Sequence, residues 1–256
     1  MKTVWLASYP KSGNTWMRFL LAHLLYGNIE HSADIQWIVP DIHKPAPSKM
    51  FRIGETCFRK THRLWDETHP DADNTIGAVY LVRNPLDVLC SLLAYNCPQE
   101  DTTSRQHFIY DFLVKGGSSY LIDFHIGTWN ENVSSWCIQE HAFPIHIIRY
   151  EDLLKNTAQE LKAVSAFIGL DVTNEAIESA VAGSSFERMR SMEEIERKTA
   201  NPGFFQAVHQ EKKRDDFRFV NKGTFGQFQH VLSQAEIQFG YEKLKPVMDA
   251  LGYQLR

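Results

Sequence analysis

Four cysteines are all that this chain of 256 residues carries, and no two of them (Cys57, Cys90, Cys97, Cys137) have the two-residue spacing of a zinc or redox motif. We read them as free thiols in a reducing cytoplasm. No apolar run approaches the ~20 residues that a membrane-spanning helix needs. Nothing has the form of a signal peptide, because Met1 and Lys2 lead directly into a strand pattern. Positive charge is not in excess: 27 Lys and Arg face 31 Asp and Glu, a net charge of −4. A general nucleic-acid binder is usually basic, so any anion site here has to be a local arrangement. The basic run Lys212-Lys213-Arg214 is neutralised by Glu211, Asp215 and Asp216 beside it.

What is present is enough apolar residue, 43%, for a substantial core. Short β-rich runs alternate with helical patterns. Thr3–Tyr9, Gly77–Val82 and Ile145–Tyr150 read as strands, and Phe51–Phe58 as a weaker fourth. Thr15–Tyr26, Pro85–Tyr95, Trp129–Glu140, Thr157–Ile168 and Thr173–Ala182 read as helices. The alternation predicts an α/β fold whose parallel sheet is flanked by helices on both faces. The nearly continuous apolar strands agree, since such a sheet is buried on both sides. Three segments break the pattern: Glu30–Ser48, Cys97–Ile126 and Met192–Phe219. Irregular stretches of that length are functional loops or disordered ones.

The first strand runs into Tyr9-Pro10-Lys11-Ser12-Gly13-Asn14-Thr15-Trp16 and then a helix. A helix start offers free N–H groups and a partial positive charge, which favour an anion. Gly13 lets the backbone approach closely, Ser12, Asn14 and Thr15 add short polar groups, any of which can cap the helix, and Lys11 adds a full charge. The nucleoside triphosphate loop G-x-x-x-x-G-K-S/T is absent, and its lysine would sit at the helix start. Lys11 instead precedes the helix and can reach the far side of a bound anion. Trp16 is either core or a surface on which a base stacks, and periodicity favours core. The next strand end, Arg83-Asn84-Pro85-Leu86-Asp87 through Ser91, opens another helix, with Asn84 placed to cap and Pro85 at the first helical position. Arg83 and Ser91 can converge on a second phosphate, and the alternative for Arg83 is a structural pair with Asp87.

With these two elements the chain resembles the sulfotransferases that use 3'-phosphoadenylyl sulfate (PAPS). That family carries a Y-P-K-S-G-T-T-W loop, R-N-x-x-D-x-x-x-S, and K-T-H between them, matched here by Tyr9–Trp16, Arg83–Ser91 and Lys60-Thr61-His62. The resemblance continues through Gly127-Thr128-Trp129, Tyr150-Glu151-Asp152 and Ser184–Met189. It implies a single P-loop-like domain over residues 1–256. It further implies that Lys11, Ser12, Gly13, Asn14 and Thr15 hold the 5'-phosphosulfate, that Arg83 and Ser91 grip the 3'-phosphate, that Trp16 stacks on adenine with Tyr150 and Phe186 lining its pocket, and that Ser184 contacts the nucleotide. His62 would be the base, Lys11 the acid at the bridging oxygen, and Lys60 the contact to the transferring sulfonate. Histidine, with an ordinary pKa of ~6.5, suits that task. The donor needs no tightly held metal, and adenosine 3',5'-bisphosphate (PAP) would be the product.

The family's C-terminal R-K-G-x-x-G-D-W reads here Asn221-Lys222-Gly223-Thr224-Phe225-Gly226-Gln227-Phe228, so Asn221 stands where the arginine is expected. Lys222 and Gly223 keep the match, and Arg218 or Lys222 are the candidates to replace the lost charge. The family's short dimer motif is absent after Gln229, which leaves a homodimer open. The loop wording is similar to bacterial sulfotransferases that modify natural products, and the expected partner is a small hydroxyl acceptor, with no nucleic acid or membrane involved. Two rivals are carried forward. One is a magnesium-dependent kinase or NTPase, because Ile145–Asp152 ends a strand in carboxylates. The other is a non-catalytic module that binds adenosine 3',5'-bisphosphate.

Overall fold

The computed structural model describes residues 1–98, 100–199 and 203–254. Its sheet has four parallel strands, β1 (Lys2–Ser8), β2 (Thr56–Thr61), β3 (Thr75–Val82) and β4 (Ile145–Arg149), in the order β2-β1-β3-β4. Side chains along a strand alternate between faces, and here each face has its own core. Trp5, Ala7, Ala78, Tyr80 and Val82 point to one. Val4, Leu6, Phe58, Val79, Leu81 and Ile148 point to the other. The first core is closed by the helices Pro85–Asn96, Thr102–Lys115, Trp129–Cys137 and Gln234–Ala250, through residues such as Leu89, Phe112, Trp136 and Leu244. The second is closed by Asn14–Tyr26, Thr157–Phe167 and Asn174–Gly183, through Leu20, Leu161 and Ile177. The predicted α/β class is therefore the observed one.

Several boundaries move. The weak strand expected over Phe51–Phe58 begins only at Thr56, because Gly54, at φ 58°, makes a turn that Ile53 and Thr56 close with reciprocal backbone hydrogen bonds of 2.9 and 3.0 Å. The strand consequently runs on to Thr61. Tyr150, expected to end β4, starts the helix Tyr150–Lys155. Two of the three irregular segments are largely helical: Thr102–Lys115 lies in one, and Phe186–Thr199 and Phe204–Lys212 occupy much of the other. Residue 99 and residues 200–202 of those segments lie outside the described residues. The inward face of Phe186–Thr199 explains why the pattern was hidden. Beside Met189 and Met192 it buries Glu193 and Glu196. Glu193 accepts the Phe219 and Val220 N–H groups and the His209 Nε2–H, and Glu196 accepts the Ser32 and Gln206 N–H groups. Buried carboxylates that are fully hydrogen-bonded can replace apolar residues in a helix face.

Candidate functional site

The register of the sheet assembles the site. Ala7 pairs with Thr61, Ser8 with Leu81, and Val82 with Arg149. Because all four strands run parallel, their carboxyl ends share one edge, and the residues just beyond them (Lys11, His62, Arg83, Tyr150) gather there. The chain leaves β1 for β2 on one side, while β3 lies on the other. Ligands of open α/β sheets bind at such a reversal of strand order.

At the end of β1, Lys11 has φ 68° and Gly13 has φ 96°. A Cβ on Gly13 would lie 2.7 Å from a ring carbon of Tyr150, so that ring fits only against glycine. Gly13 is also the N-cap of Asn14–Tyr26, and no side chain caps this helix. The expectation that Ser12, Asn14 or Thr15 caps it is thereby corrected. Asn14 turns back to β1, donating from Nδ2 to the Leu6 carbonyl at 3.3 Å and to Ser8 Oγ at 3.1 Å. Ser12 is fully buried, and its Oγ has no partner. Thr15 is half-buried on the first turn.

Lys11 folds its ammonium over two rings, 4.2 Å from the centroid of Tyr95 and 4.8 Å from that of Phe219. Lys212 lies on the same Tyr95 ring at 3.7 Å. Burial, with the Arg83 and Lys212 charges added, pulls the Lys11 pKa down from 10.5 to about 7. Arg83 is buried and donates from Nη1 to the Lys11 carbonyl (3.0 Å) and from Nη2 to the Thr224 carbonyl (2.9 Å). Its guanidinium stacks 4.3 Å from the Tyr150 centroid, and its Nε has no partner. Asp87 does not pair with it. That carboxylate accepts the Gly226 and Phe228 N–H groups instead, at 2.6 and 3.3 Å.

His62 sits next to β1. Its Nδ1–H donates to the Ser8 carbonyl at 2.8 Å, which fixes the tautomer and leaves the Nε2 lone pair available. Its backbone N–H donates to His43 Nε2 at 2.9 Å, and its carbonyl accepts Asn132 Nδ2–H at 2.9 Å. Asn132 is held in turn by Tyr80, whose hydroxyl donates to Oδ1 at 2.7 Å. Burial and the neighbouring Lys60 and His43 keep the His62 pKa well below 6.5, so the ring is neutral at pH 7. Lys60 is buried with its ammonium 2.9 Å from Asp41 Oδ2. Burial lowers its pKa to about 8, with Asp41 opposing the shift. Lys60 is thus engaged by a carboxylate.

A wall of aromatic side chains forms where helices meet. Trp16 donates from Nε1 to the Ser184 carbonyl at 3.0 Å and meets Tyr150 edge to face, with centroids 6.2 Å apart. Trp16 is therefore only half-buried, not fully core. Ser184 Oγ is buried without a partner. Phe186 packs under Gly223, where a Cβ would come within 2.9 Å of the ring. Lys222 is exposed and lines an open cavity with Asn84, Asp87 and Asp152, and Ser91 is half-buried on its helix. Among the predicted residues, Lys11, Ser12, Gly13, Trp16, Arg83, Tyr150, Ser184, Phe186 and Gly223 come together around the β1–β3 edge, and His62 flanks them. Asn14 points away. Asp41, His43, Lys212 and Phe219 come from two of the irregular segments without a local mark of their own, and Tyr95 and Asn132 lie in predicted helices; only tertiary contacts bring them here. Ser12 Oγ, Arg83 Nε and Ser184 Oγ are buried polar atoms left unmatched, and such groups fit an anionic nucleotide. Glu151, one of the two carboxylates of the kinase alternative, is engaged by the Asn84 N–H (3.1 Å) and the Tyr253 hydroxyl (2.8 Å). Among the described residues no group of three His, Cys, Asp or Glu is placed to hold a metal.

Comparison with known proteins identifies the family. The sulfotransferase domain family matches residues 1–252. Sulfotransferase 1A1 of Rattus norvegicus is 30% identical over 200 residues, covering 72% of this chain and 66% of the relative. Its counterpart in Canis lupus familiaris is 25% identical over 247 residues, covering 90% of this chain and 78% of the relative. A crystal structure of a mouse sulfotransferase complexed with PAP superposes with a TM-score of 0.67 at 22% identity, covering 96% of this chain and 84% of that one.

Proposed function

The chain belongs to the sulfotransferase domain family, and we propose that it moves a sulfuryl group from 3'-phosphoadenylyl sulfate to a hydroxyl of a small acceptor. The observation that supports this most is the union of Lys11 and Arg83. A direct hydrogen bond from the Arg83 guanidinium to the Lys11 carbonyl sets both cations at one strand edge, and Ser8, three residues before Lys11, orients His62. When bound, the activated sulfate supplies a sulfuryl group and a leaving phosphate on which negative charge develops.

His62 Nε2 takes the acceptor's hydroxyl proton. The Ser8 carbonyl stabilises the charged imidazole that results, and such assistance contributes roughly 10²–10⁴ in rate. Lys11 meets the growing negative charge. Its ammonium is poorly solvated between Tyr95 and Phe219, so an adjacent anion gains more from it than from a hydrated lysine. The loop amides, Ser12 and the uncapped helix start hold the 5'-phosphate, with Thr15 beside them. Asn14 acts by bracing the loop on β1. Trp16, Tyr150 and Phe186 enclose the base, and the Ser184 hydroxyl faces it. Arg83 and Ser91 take the 3'-phosphate, with Lys222 and Gly223 contributing the turn. Lys60 reaches the sulfonate only by leaving Asp41, and otherwise its role is to hold the segment that carries His43.

The acceptor is partly apolar with one nucleophilic hydroxyl, as the rings of Tyr95, Phe219 and His43 beside the reacting groups suggest. No helix among the described residues is long and apolar enough to cross a membrane, and the four free cysteines fit a cytoplasmic setting. The test is transfer of label from radiolabelled donor to a panel of phenols, sugars and hydroxylated peptides, with and without EDTA. Label transfer that survives chelation is expected. Metal-dependent ATP turnover in its place defeats the reading, and nucleotide binding without any transfer favours the non-catalytic module.

A further inference from the structure

The turn Asn221–Thr224 is held by a guanidinium at each end. At its far end the Thr224 carbonyl accepts Arg83 Nη2–H. At its near end the Asn221 carbonyl accepts Arg190 Nη1–H at 3.2 Å. Between them Gly223 takes φ 60°, with the Phe186 ring close beneath it. Arg190 extends along the same ring, its guanidinium 5.7 Å from the Phe186 centroid. Arg83, Arg190 and Lys222 form no ion pair among the described residues. A guanidinium has five N–H donors, and the Asn221 carbonyl uses one of Arg190's. Arg83 Nε is buried and unmatched.

The other nearby cations are differently placed. Arg218 donates Nη1–H to the Asp215 and Phe217 carbonyls, at 2.9 and 2.6 Å, and so is turned onto its own loop. Lys222 is exposed and lines the cavity that Asp87, Glu151 and Asp152 also line. Arg83 bridges the Lys11 loop and the Asn221–Thr224 turn, with one nitrogen on the Lys11 carbonyl and another on that of Thr224.

We infer that Arg190 is the second guanidinium for the 3'-phosphate of the nucleotide, acting with Arg83 across the Asn221–Thr224 turn and selecting nucleotides that carry a phosphate at both ends of the ribose. This rests on the donor-site reading above. Arg190 supplies from a helix the charge that the turn itself lacks at Asn221. Planar guanidinium pairs suit phosphate oxygens, and a lysine does not reproduce their fork.

Calorimetric titration at fixed ionic strength with adenosine 3',5'-bisphosphate and, separately, adenosine 5'-phosphate tests it. Arg190→Gln should weaken bisphosphate binding by roughly 10- to 100-fold, as expected for losing a hydrogen bond to a charged group. Adenosine 5'-phosphate affinity should not change. Arg190→Lys should fall between, and adding Asn221→Arg to Arg190→Gln should restore much of the loss. Equal weakening of both nucleotides would make Arg190 a mere brace of the turn and overturn the inference, as would no change in either. Should Arg190→Gln fail to fold, Arg190→Lys decides alone, and bisphosphate affinity equal to wild type contradicts the proposal. A wild-type chain that does not prefer the bisphosphate overturns the donor-site reading itself, and this inference with it.

Discussion

The cradle at Pro10–Gly13 and the ledge carrying His62 lie at the ends of adjacent strands, yet they are made differently. The cradle is local. A left-handed lysine, a left-handed glycine and an uncapped helix start form it within a few residues, and the outside helper, Arg83, follows the neighbouring strand. The ledge is assembled from distant pieces. Asp41 clamps Lys60, His43 receives the His62 N–H, and Asn132 holds the His62 carbonyl from another helix. A phosphate can be bound by backbone geometry that a short motif encodes, whereas aiming a proton acceptor takes support from several elements.

The sharpest way to separate the two regions is His62→Asn. Turnover should fall by roughly 10²–10⁴ while calorimetry finds bisphosphate affinity unchanged. A parallel loss of affinity would show that the ledge and the cradle are one unit. Next comes Asp41→Ala, which leaves Lys60 buried without its counter-charge. Breaking a buried pair on one side costs about 3–5 kcal/mol, read by urea unfolding, and Asp41→Ala with Lys60→Met should recover most of it. A loss below about 1 kcal/mol would mean that the ledge does not depend on this pair.

Lys11→Met follows, with an expected fall in turnover of roughly 10²–10³ and an opposite effect on stability. Burial lowers the Lys11 pKa from 10.5 to about 7, so the charged form disfavours the fold. The unfolded chain holds this proton between pH 7 and 10.5 and the folded one does not, so stability rises with pH across that window. The Met variant should therefore melt higher than wild type below pH 7, with the gap closing toward pH 10.5. A variant that melts lower would mean that the aromatic cage of Tyr95 and Phe219 favours the ammonium. The smallest effect is on the acid limb of kcat/KM. With the His62 pKa held well below 6.5, activity should persist through pH 6. A limb centred at the ordinary histidine value would place the ring in water.

The same contrast explains what could be read from the sequence. The strands β1, β3 and β4, their helices and the cradle announced themselves because their signals are contiguous: an apolar run, then Pro10–Gly13 or Arg83–Pro85, then a helical period. Lys60-Thr61-His62 is legible as a motif although the apolar pattern starts its strand several residues early, since Gly54 displaces the start of β2. Helices Thr102–Lys115 and Phe186–Thr199 went unread for a physical reason. The first leaves Tyr110 and Val114 exposed, and the second buries Glu193 and Glu196, so neither shows a clean apolar stripe. Asp41, His43, Tyr95, Asn132 and Arg190 carry no local mark. Only the folded chain shows what they touch.

Proton uptake on nucleotide binding tests the central claim most directly, that an unstable Lys11 ammonium and Arg83 together receive one anionic nucleotide. Adenosine 3',5'-bisphosphate would be titrated near pH 8.5 in buffers of different ionisation enthalpy. With Lys11 near pKa 7 when free and returned to its charged form by the phosphate, wild type should take up close to one proton, bind more weakly as pH rises, and lose the uptake in Lys11→Met. Binding without proton uptake, and equally tight in Lys11→Met, would contradict the account.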